Sequence, residues 1–360
     1  MKHIIPFVLF ESKDVRLPSG LTKKQEKFLN KYTTGTWSVN PTTGLVDVQG
    51  HFKCSYVRVK LESFPGISFG HVSGDFDCSW NRLTSLEGAP QTVDGGFDCE
   101  RNQLTSLEGA PQTVGGYFNC NHNKLKSLEG APQTVGRDFW CGENQLQTLE
   151  GAPQTVNGDF RCSKNQLTSL EGAPQTVDGD FWCTDNQLQS LEGAPQTVNG
   201  DFRCGVNQLQ SLVGAPQELG RGFYCGGNQL TSLEGAPQMV GGGFGCSYND
   251  LTSLEGAPQT VVGGFKCDEF ELDSGKWNMQ GWLEVLNTGT PAAQKLIPTL
   301  PWLQPDWWNQ ELQRNPGKTV HLLSTMGNHM PKDMQSGIKI PKGYEDQLDL
   351  FSGFHELGLF

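Results

Sequence analysis

Positive charge is scarce in this chain. Its 360 residues carry 27 Lys and Arg against 39 Asp and Glu, a net charge of -12. That balance argues against nonspecific binding to nucleic acid or to an anionic membrane surface. Charged residues make up only 18%, too few for a disordered tail protein, while 10% aromatics can support a packed interior. No apolar run approaches the length needed to span a bilayer. Met1 to Phe10 holds a short apolar stretch, but Pro6 interrupts it and Glu11 and Asp14 follow. It lacks a small-residue cleavage site and is not read as a secretion signal. With 45 Gly and 20 Pro, long helices cannot dominate the chain. Cysteines paired two to four residues apart, the mark of a zinc site, are missing as well.

What the chain has instead is a period. Cysteine recurs at 78, 99, 120, 141, 162, 183, 204, 225, 246 and 267, every 21 residues, and Cys54 sits in a diverged first unit that runs from Val46. One unit reads Val93-Asp-Gly-Gly-Phe97-Asp-Cys99-Glu-Arg-Asn102-Gln-Leu104-Thr-Ser-Leu107-Glu-Gly-Ala-Pro-Gln-Thr113. Phe97 and Cys99 lie two apart, so on a strand both side chains point to one side, inward. The dipeptides Asp94-Gly95, Asn157-Gly158 and Asp178-Gly179 are expected to admit a positive φ and launch each strand. Gly136-Arg137 and Gly220-Arg221 replace them in two units, where the turn is expected to shift. The Gly-Ala-Pro stretch has no helical periodicity and is expected to return as extended chain. One unit cannot bury Phe, Leu, Leu and Val alone, whereas stacked units bury them continuously.

Phe97, Cys99, Asn102, Leu104 and Leu107 fill an apolar-x-apolar-x-x-Asn-x-Leu-x-x-Leu pattern, which resembles the leucine-rich-repeat family over residues 46 to 267. The resemblance implies a solenoid with a single curved parallel β-sheet and an irregular or extended convex side. At about 4.8 Å per strand, ten or eleven strands give a sheet roughly 45–55 Å long.

Stacking turns each repeat position into a column. The Asn column from Asn81 to Asn249 is expected to satisfy backbone groups of neighbouring coils. The cysteine column could suggest disulfides or a metal ladder. Side chains that all point inward together do not face one another for bridging, and small buried hydrophobes are the better reading. The Glu column, from Glu87 to Glu255 with Val213 as its one break, reads as solvated carboxylates, with a divalent cation between them as the alternative. The Gln column from Gln91 to Gln259 is expected to hydrogen-bond along itself.

Ligand contacts belong to outward strand positions, which the core does not constrain. The column between Phe and Cys reads Asp77, Asp98, Asn119, Trp140, Arg161, Trp182, Arg203, Tyr224, Gly245, Lys266. Trp, Arg, Trp, Arg and Tyr on adjacent strands predict a cation–π stripe on the concave face, of the residue types that dominate protein interfaces. Trp80, Arg101, His122, Glu143, Lys164, Asp185 and Tyr248 are expected beside it, two residues past the cysteine on each strand. The competing reading is that the aromatics only cover their neighbours and stabilise the sheet.

Residues 1–45 read as an N-terminal cap. Thr22-x-x-Gln25 is a capping box ahead of a short helix from Lys23 to Tyr32, and Trp37 to Val48 reads as a hairpin around Asn40-Pro41-Thr-Thr-Gly44. Residues 268–360 read as a mainly helical cap and tail, with helices expected near Thr290-Pro291 and from Pro305. Trp277, Trp282, Trp302, Trp307 and Trp308 are its expected core, a carbohydrate or peptide groove being the alternative. No catalytic set is found. Gly317-Lys318-Thr319 lacks the first glycine and preceding strand of a phosphate-binding loop, and His321 and His329 lack zinc-helix spacing. The repeats are also similar to those of bacterial effector ubiquitin ligases, whose chemistry needs a nucleophilic Cys, and none follows Cys267.

Gln347-Leu348-Asp349-Leu350-Phe351 resembles the short peptide with which bacterial proteins dock on the DNA sliding clamp; a tail packed on the last coil is the plainer alternative. The near-identical units and the Phe-Ser-Gly-Phe ending resemble leucine-rich-repeat proteins encoded by tailed bacteriophages. The expectation is a monomeric, non-catalytic protein-recognition module without cofactor or metal. Its partner would be a host or virion protein, bound in the host bacterial cytoplasm; no nucleic acid or membrane is expected to bind. A structural or decoration role in a phage particle and docking on the sliding clamp are the alternatives.

Overall fold

The computed structural model describes residues 19–55, 60–268, 270–272, 295–296, 300, 305–314, 316, 337–339 and 341–342. Thr22 caps the first helix, α1 (Lys23–Tyr32): its side chain accepts from the Gln25 N–H, and Gln25 Oε1 accepts from the Thr22 N–H at 2.8 Å. Leu29 is buried, and Phe28 and Tyr32 pack on the ring of Phe52, so α1 covers the first coil. Strand β1 (Thr33–Val39) then pairs antiparallel with β2 (Val46–Lys53) around the Asn40–Gly44 turn.

β2 starts the solenoid. Its first half pairs in parallel with Phe69–Val72, and Phe52–Lys53 at its end pairs with Phe76–Asp77. From there two ladders of short parallel strands climb the stack side by side, and all belong to one hydrogen-bonded sheet. One ladder carries the Phe-x pairs, such as Phe139↔Phe160. The other carries the Thr-Val pairs, such as Thr155↔Thr176. The convex side is expected to be irregular or extended, and this second ladder is extended chain paired from coil to coil.

The rest of the return is regular too. In each Leu-Glu-Gly-Ala segment the Ala N–H donates to the Leu carbonyl, as Ala110 does to Leu107 at 2.9 Å, and Gly109 has φ +87°. A positive φ at the third residue defines a type II turn, which glycine adopts without strain. The glycines after Asp94, Asn157 and Asp178, expected to take positive φ, do not have it. They are required by closeness instead: a Cβ on Gly158 would stand 2.3 Å from Asp138 Oδ1.

The interior is a set of parallel rows. The Phe rings from Phe52 to Phe265 stack with centroids 5.1 to 5.5 Å apart, and Phe97, Phe118 and Phe139 lie in one continuous row. Ten such steps carry the row roughly 50 Å. Cysteine lies beside it, fully buried, and in several coils its Sγ donates to the carbonyl of the next coil, as Cys99 does to Asn119 at 3.3 Å. Burial pushes thiols such as Cys99 and Cys141 well above the ordinary cysteine range. Asparagine ties the coils together. Asn165 Nδ2 donates to the carbonyls of Cys141 and Cys162, and its Oδ1 accepts from the Leu146 N–H. The Gln column hydrogen-bonds along itself through its backbone, as the Gln112 N–H does to the Gln91 carbonyl at 2.9 Å.

At the far end Phe265–Cys267 pairs antiparallel with Phe270–Leu272. Leu296 and Leu300 join the apolar cluster of the array. A helix runs over Pro305–Arg314, with proline in its first turn and Trp308 and Leu312 buried. The other C-terminal features of the sequence, Thr290-Pro291, Trp277, Trp282, Trp302, Gly317 to Thr319, His321, His329 and Gln347 to Phe351, lie outside the described residues. So does Met1 to Phe10.

Candidate recognition surface on the strand face

Between buried Phe and buried Cys, one side chain per coil must point out of the core. In the middle coils these side chains touch one another in sequence. The Arg161 guanidinium lies 5.7 Å from the Trp140 ring and 4.1 Å from Trp182. Arg203 lies 4.7 Å from Trp182 and 5.0 Å from Tyr224. Tyr117 extends the ladder at its near end, stacked on Trp140 at 5.5 Å and 21°. Sequence reading missed Tyr117 because it sits one position earlier in its unit, directly before Phe118. The available signal was that tyrosine replaces the aspartate found there in several other coils.

Those aspartates were also missed, and they build the corner of the coils that carry them. Asp138 Oδ1 accepts the N–H of Asp159, Asp159 that of Asp180, and Asp180 that of Asp201, at 2.8 to 2.9 Å. The free Oδ2 of Asp159 then holds Arg161 Nη2 at 2.6 Å, and Asp201 holds Arg203 at 2.7 Å. Each arginine is thus fixed by a charge-assisted bond from its own coil and by rings on either side. Both faces of Trp140 and Trp182 are occupied from within the chain, and the Nε1–H edge of each is buried, so what each indole leaves open is carbon edge.

The second row is not on strands, as had been expected. Trp80, Arg101, His122, Glu143, Lys164, Asp185, Val206 and Tyr248 all have φ between 52 and 60°, in the turn that ends the strand. Such a conformation costs a non-glycine residue about 1 kcal/mol. The row is nonetheless continuous in its first half. Arg101 covers Trp80 at 4.3 Å and contacts His122 Nε2 at 3.2 Å. His122 Nδ1 meets Glu143 Oε2 at 2.9 Å, and Glu143 Oε1 accepts from Lys164 at 3.2 Å. Tyr248, further along, is 84% exposed.

Before the ladder the strand face is acidic. Asp77, Asp98 and Glu100 lie close together, with Asn119 donating to both Asp98 and Glu100. Burial, reinforced by the charges of Asp77 and Glu100, pushes the Asp98 carboxyl up to about 7. The native state therefore binds this proton more tightly than the unfolded chain does. Its contribution to stability is present below the ordinary carboxylate pKa and is lost as pH rises toward 7. Asp98→Asn is expected to stabilise the protein at pH 8 by roughly 2 kcal/mol or more and to leave it unchanged near pH 4. Urea denaturation at the two pH values checks this, and equal midpoint shifts at both would refute it. The same carboxylates, with burial as the leading cause, push Tyr117 up to about 12.

The Glu column, such as Glu108, is exposed in the type II turns. Among the described residues no group of His, Cys, Asp and Glu is arranged to hold a metal ion.

No protein-family model matches the chain, and no curated protein matches it. Among solved structures the chain is similar to YopM from Yersinia enterocolitica WA-314, at 16% identity and a TM-score of 0.39. The match covers 62% of this chain and 63% of that one.

Proposed function

We propose that the array is a protein-recognition module whose contact surface is the strand face around Trp140, Arg161, Trp182, Arg203 and Tyr224, with Trp80, Arg101, His122, Lys164 and Tyr248 along the adjoining turns. One observation carries this reading. The Tyr117–Tyr224 ladder is held rigid by its own stacking and by Asp159 and Asp201, so a partner meets it already ordered. Ordering paid for within the fold lowers the entropic cost of association. Ring faces that are already covered suit a protein surface laid against ring edges better than a sugar or base that would need a free face. The reading is non-catalytic. The carboxylates of the face are engaged in holding backbone: Asp77 Oδ1 accepts from the Ser79 N–H and Asp98 Oδ1 from that of Glu100.

The combined variant Trp140→Ala, Arg161→Ala, Trp182→Ala leaves the Phe, Cys, Leu and Asn rows untouched. It is expected to melt within a few degrees of the parent while retaining at least tenfold less partner in affinity capture from bacterial lysate. Undiminished capture would end the proposal. A loss of folding that matches the loss of capture would assign the ladder to sheet stability instead.

A further inference from the structure

The array breaks its own pattern on the return side of adjoining coils. Glutamate stands in each turn from Glu87 to Glu255 except at Val213, and threonine opens each strand of the second ladder from Thr92 to Thr260 except at Glu218 and Met239. Around these breaks the surface opens into a recess of about 670 Å³. Pro195 and Val198 of one coil, Pro216 and Leu219 of the next, and Met239 of the third line it. The ladder is loosened here. The first two coils pair through Val198↔Leu219, whereas both Glu218↔Met239 and Leu219↔Val240 join the second to the third. The Gly220 N–H reaches the Val198 carbonyl at 3.3 Å, against 3.0 Å for Gly241 to Leu219 one coil on.

The breaks trade polar surface for apolar. Val213 is 59% exposed and Met239 50%, at positions where other coils carry glutamate and threonine. Apolar side chains presented to water beside a concave surface mark a docking site and do nothing for stability. Acid frames this one. A Cβ on Gly214 would stand 2.8 Å from the Glu192 nitrogen, and one on Gly235 2.3 Å from that of Val213. The turns of Glu192 and Glu234 thus lie directly on either side of Val213. Both glutamates are exposed, and exposed Glu171 and Glu255 extend the acidic row by one coil each way. The recess runs from Gly214 to Gly220, and exposed Arg221 follows its far end. A partner's cations therefore belong at the turn end. A second copy of this chain, with a net charge of -12, is a poor occupant.

We propose that this recess is a second docking site, apart from the Trp–Arg ladder, for a short basic segment of a protein partner. A leucine or methionine side chain enters beside Leu219 and Met239, and a neighbouring lysine or arginine pairs with Glu192 and Glu234. Burial of the aliphatic side chain supplies affinity, and the acidic row sets the direction of the segment. The site does not depend on the reading of the strand face, and either can fail alone.

The probes are the capped peptides acetyl-Lys-Leu-Leu-Lys-amide, acetyl-Lys-Ser-Ser-Lys-amide and acetyl-Glu-Leu-Leu-Glu-amide, titrated into the isotope-labelled full chain and followed by methyl chemical shifts. Saturable shifts at Val213, Leu219 and Met239 are expected with the first peptide, and binding roughly tenfold weaker or absent with the other two. Met239→Thr combined with Leu219→Val restores the residues that other coils carry there, so the fold is kept while the recess narrows. Read at Val213, this variant is expected to bind the first peptide about tenfold more weakly. Glu192→Gln combined with Glu234→Gln leaves the recess open; it is expected to weaken the same peptide several-fold and to flatten its salt dependence. No saturable shift at Val213 and Met239, equal binding of the three peptides, or full binding by the Met239→Thr, Leu219→Val variant would each overturn the proposal. Shifts confined to the Trp140–Tyr224 face would overturn it too. So would a parent chain that dimerises in sedimentation and becomes monomeric with Met239→Thr, since the recess would then belong to a second copy.

Discussion

Replacing Phe160 by alanine is expected to cost about 3–5 kcal/mol and to break the array into two blocks that melt separately. Phe160 is fully buried and stacked on both sides, at 5.4 Å from Phe139 and 5.5 Å from Phe181. A large-to-small change there removes the ring's transfer energy and leaves a void that two rigid neighbouring coils cannot close. In a stack each coil is stabilised mainly by the coils on either side, so weakening one interface uncouples what lies above from what lies below. Urea denaturation followed by circular dichroism should become biphasic. Native-state hydrogen exchange should show the two blocks opening at different free energies. A single unchanged transition, or a loss under about 1 kcal/mol, would show that the ring does not bridge its neighbours as described.

A comparable loss, also about 3–5 kcal/mol, is expected from Asn165→Ala, for a different reason. Here it is the hydrogen bonds between coils that fail. The Leu146 N–H loses its acceptor outright, and the buried carbonyls of Cys141 and Cys162 each lose one of two asparagine donors, keeping those from Asn144 and Asn186. An orphaned buried donor costs the full desolvation of that group, about 1–3 kcal/mol, and each lost bond about 1 kcal/mol more. Unlike Phe160→Ala, this change removes little apolar surface. The midpoint of denaturation should therefore fall with little change in its steepness. A variant as stable as the parent would mean that water replaces the amide, and the asparagine column would not be the tie between coils.

Much of this was legible from the period alone. Once residues 21 apart become vertical neighbours, the buried Phe, Cys and Leu rows and the bridging asparagines follow from side-chain size and polarity. The Trp140–Tyr224 contacts follow as well, since adjacent outward positions must touch at strand spacing. Other features left no sequence mark of their own. The left-handed row is occupied by Trp80, Arg101, His122, Glu143, Lys164, Asp185, Val206 and Tyr248, and such varied residues read as surface, not as one repeated backbone conformation. Gly227 was the single hint. Glycine was misassigned between two jobs. A close approach of coils and a positive φ both demand it, and sequence does not say which demand applies at Asp94-Gly95 and which at Glu108-Gly109. The second ladder was hidden because a two-residue Thr-Val strand is too short to show alternation. Tyr117 and the arginine-holding aspartates lie one position off the column that was being read.

The near identity of successive coils has a consequence for how this molecule can change. Removing residues 144 to 164 would join Glu143 to Asn165, and every interior junction would meet the same chemistry as before, with Asn165 still beneath Cys141. On the outside the effect would be different, because Arg161 would be gone and Trp140 would sit directly against Trp182. Whole-turn insertions and excisions thus reshuffle what the molecule displays while its inner layers register nothing, so that its reach and its surface lettering can drift independently over generations.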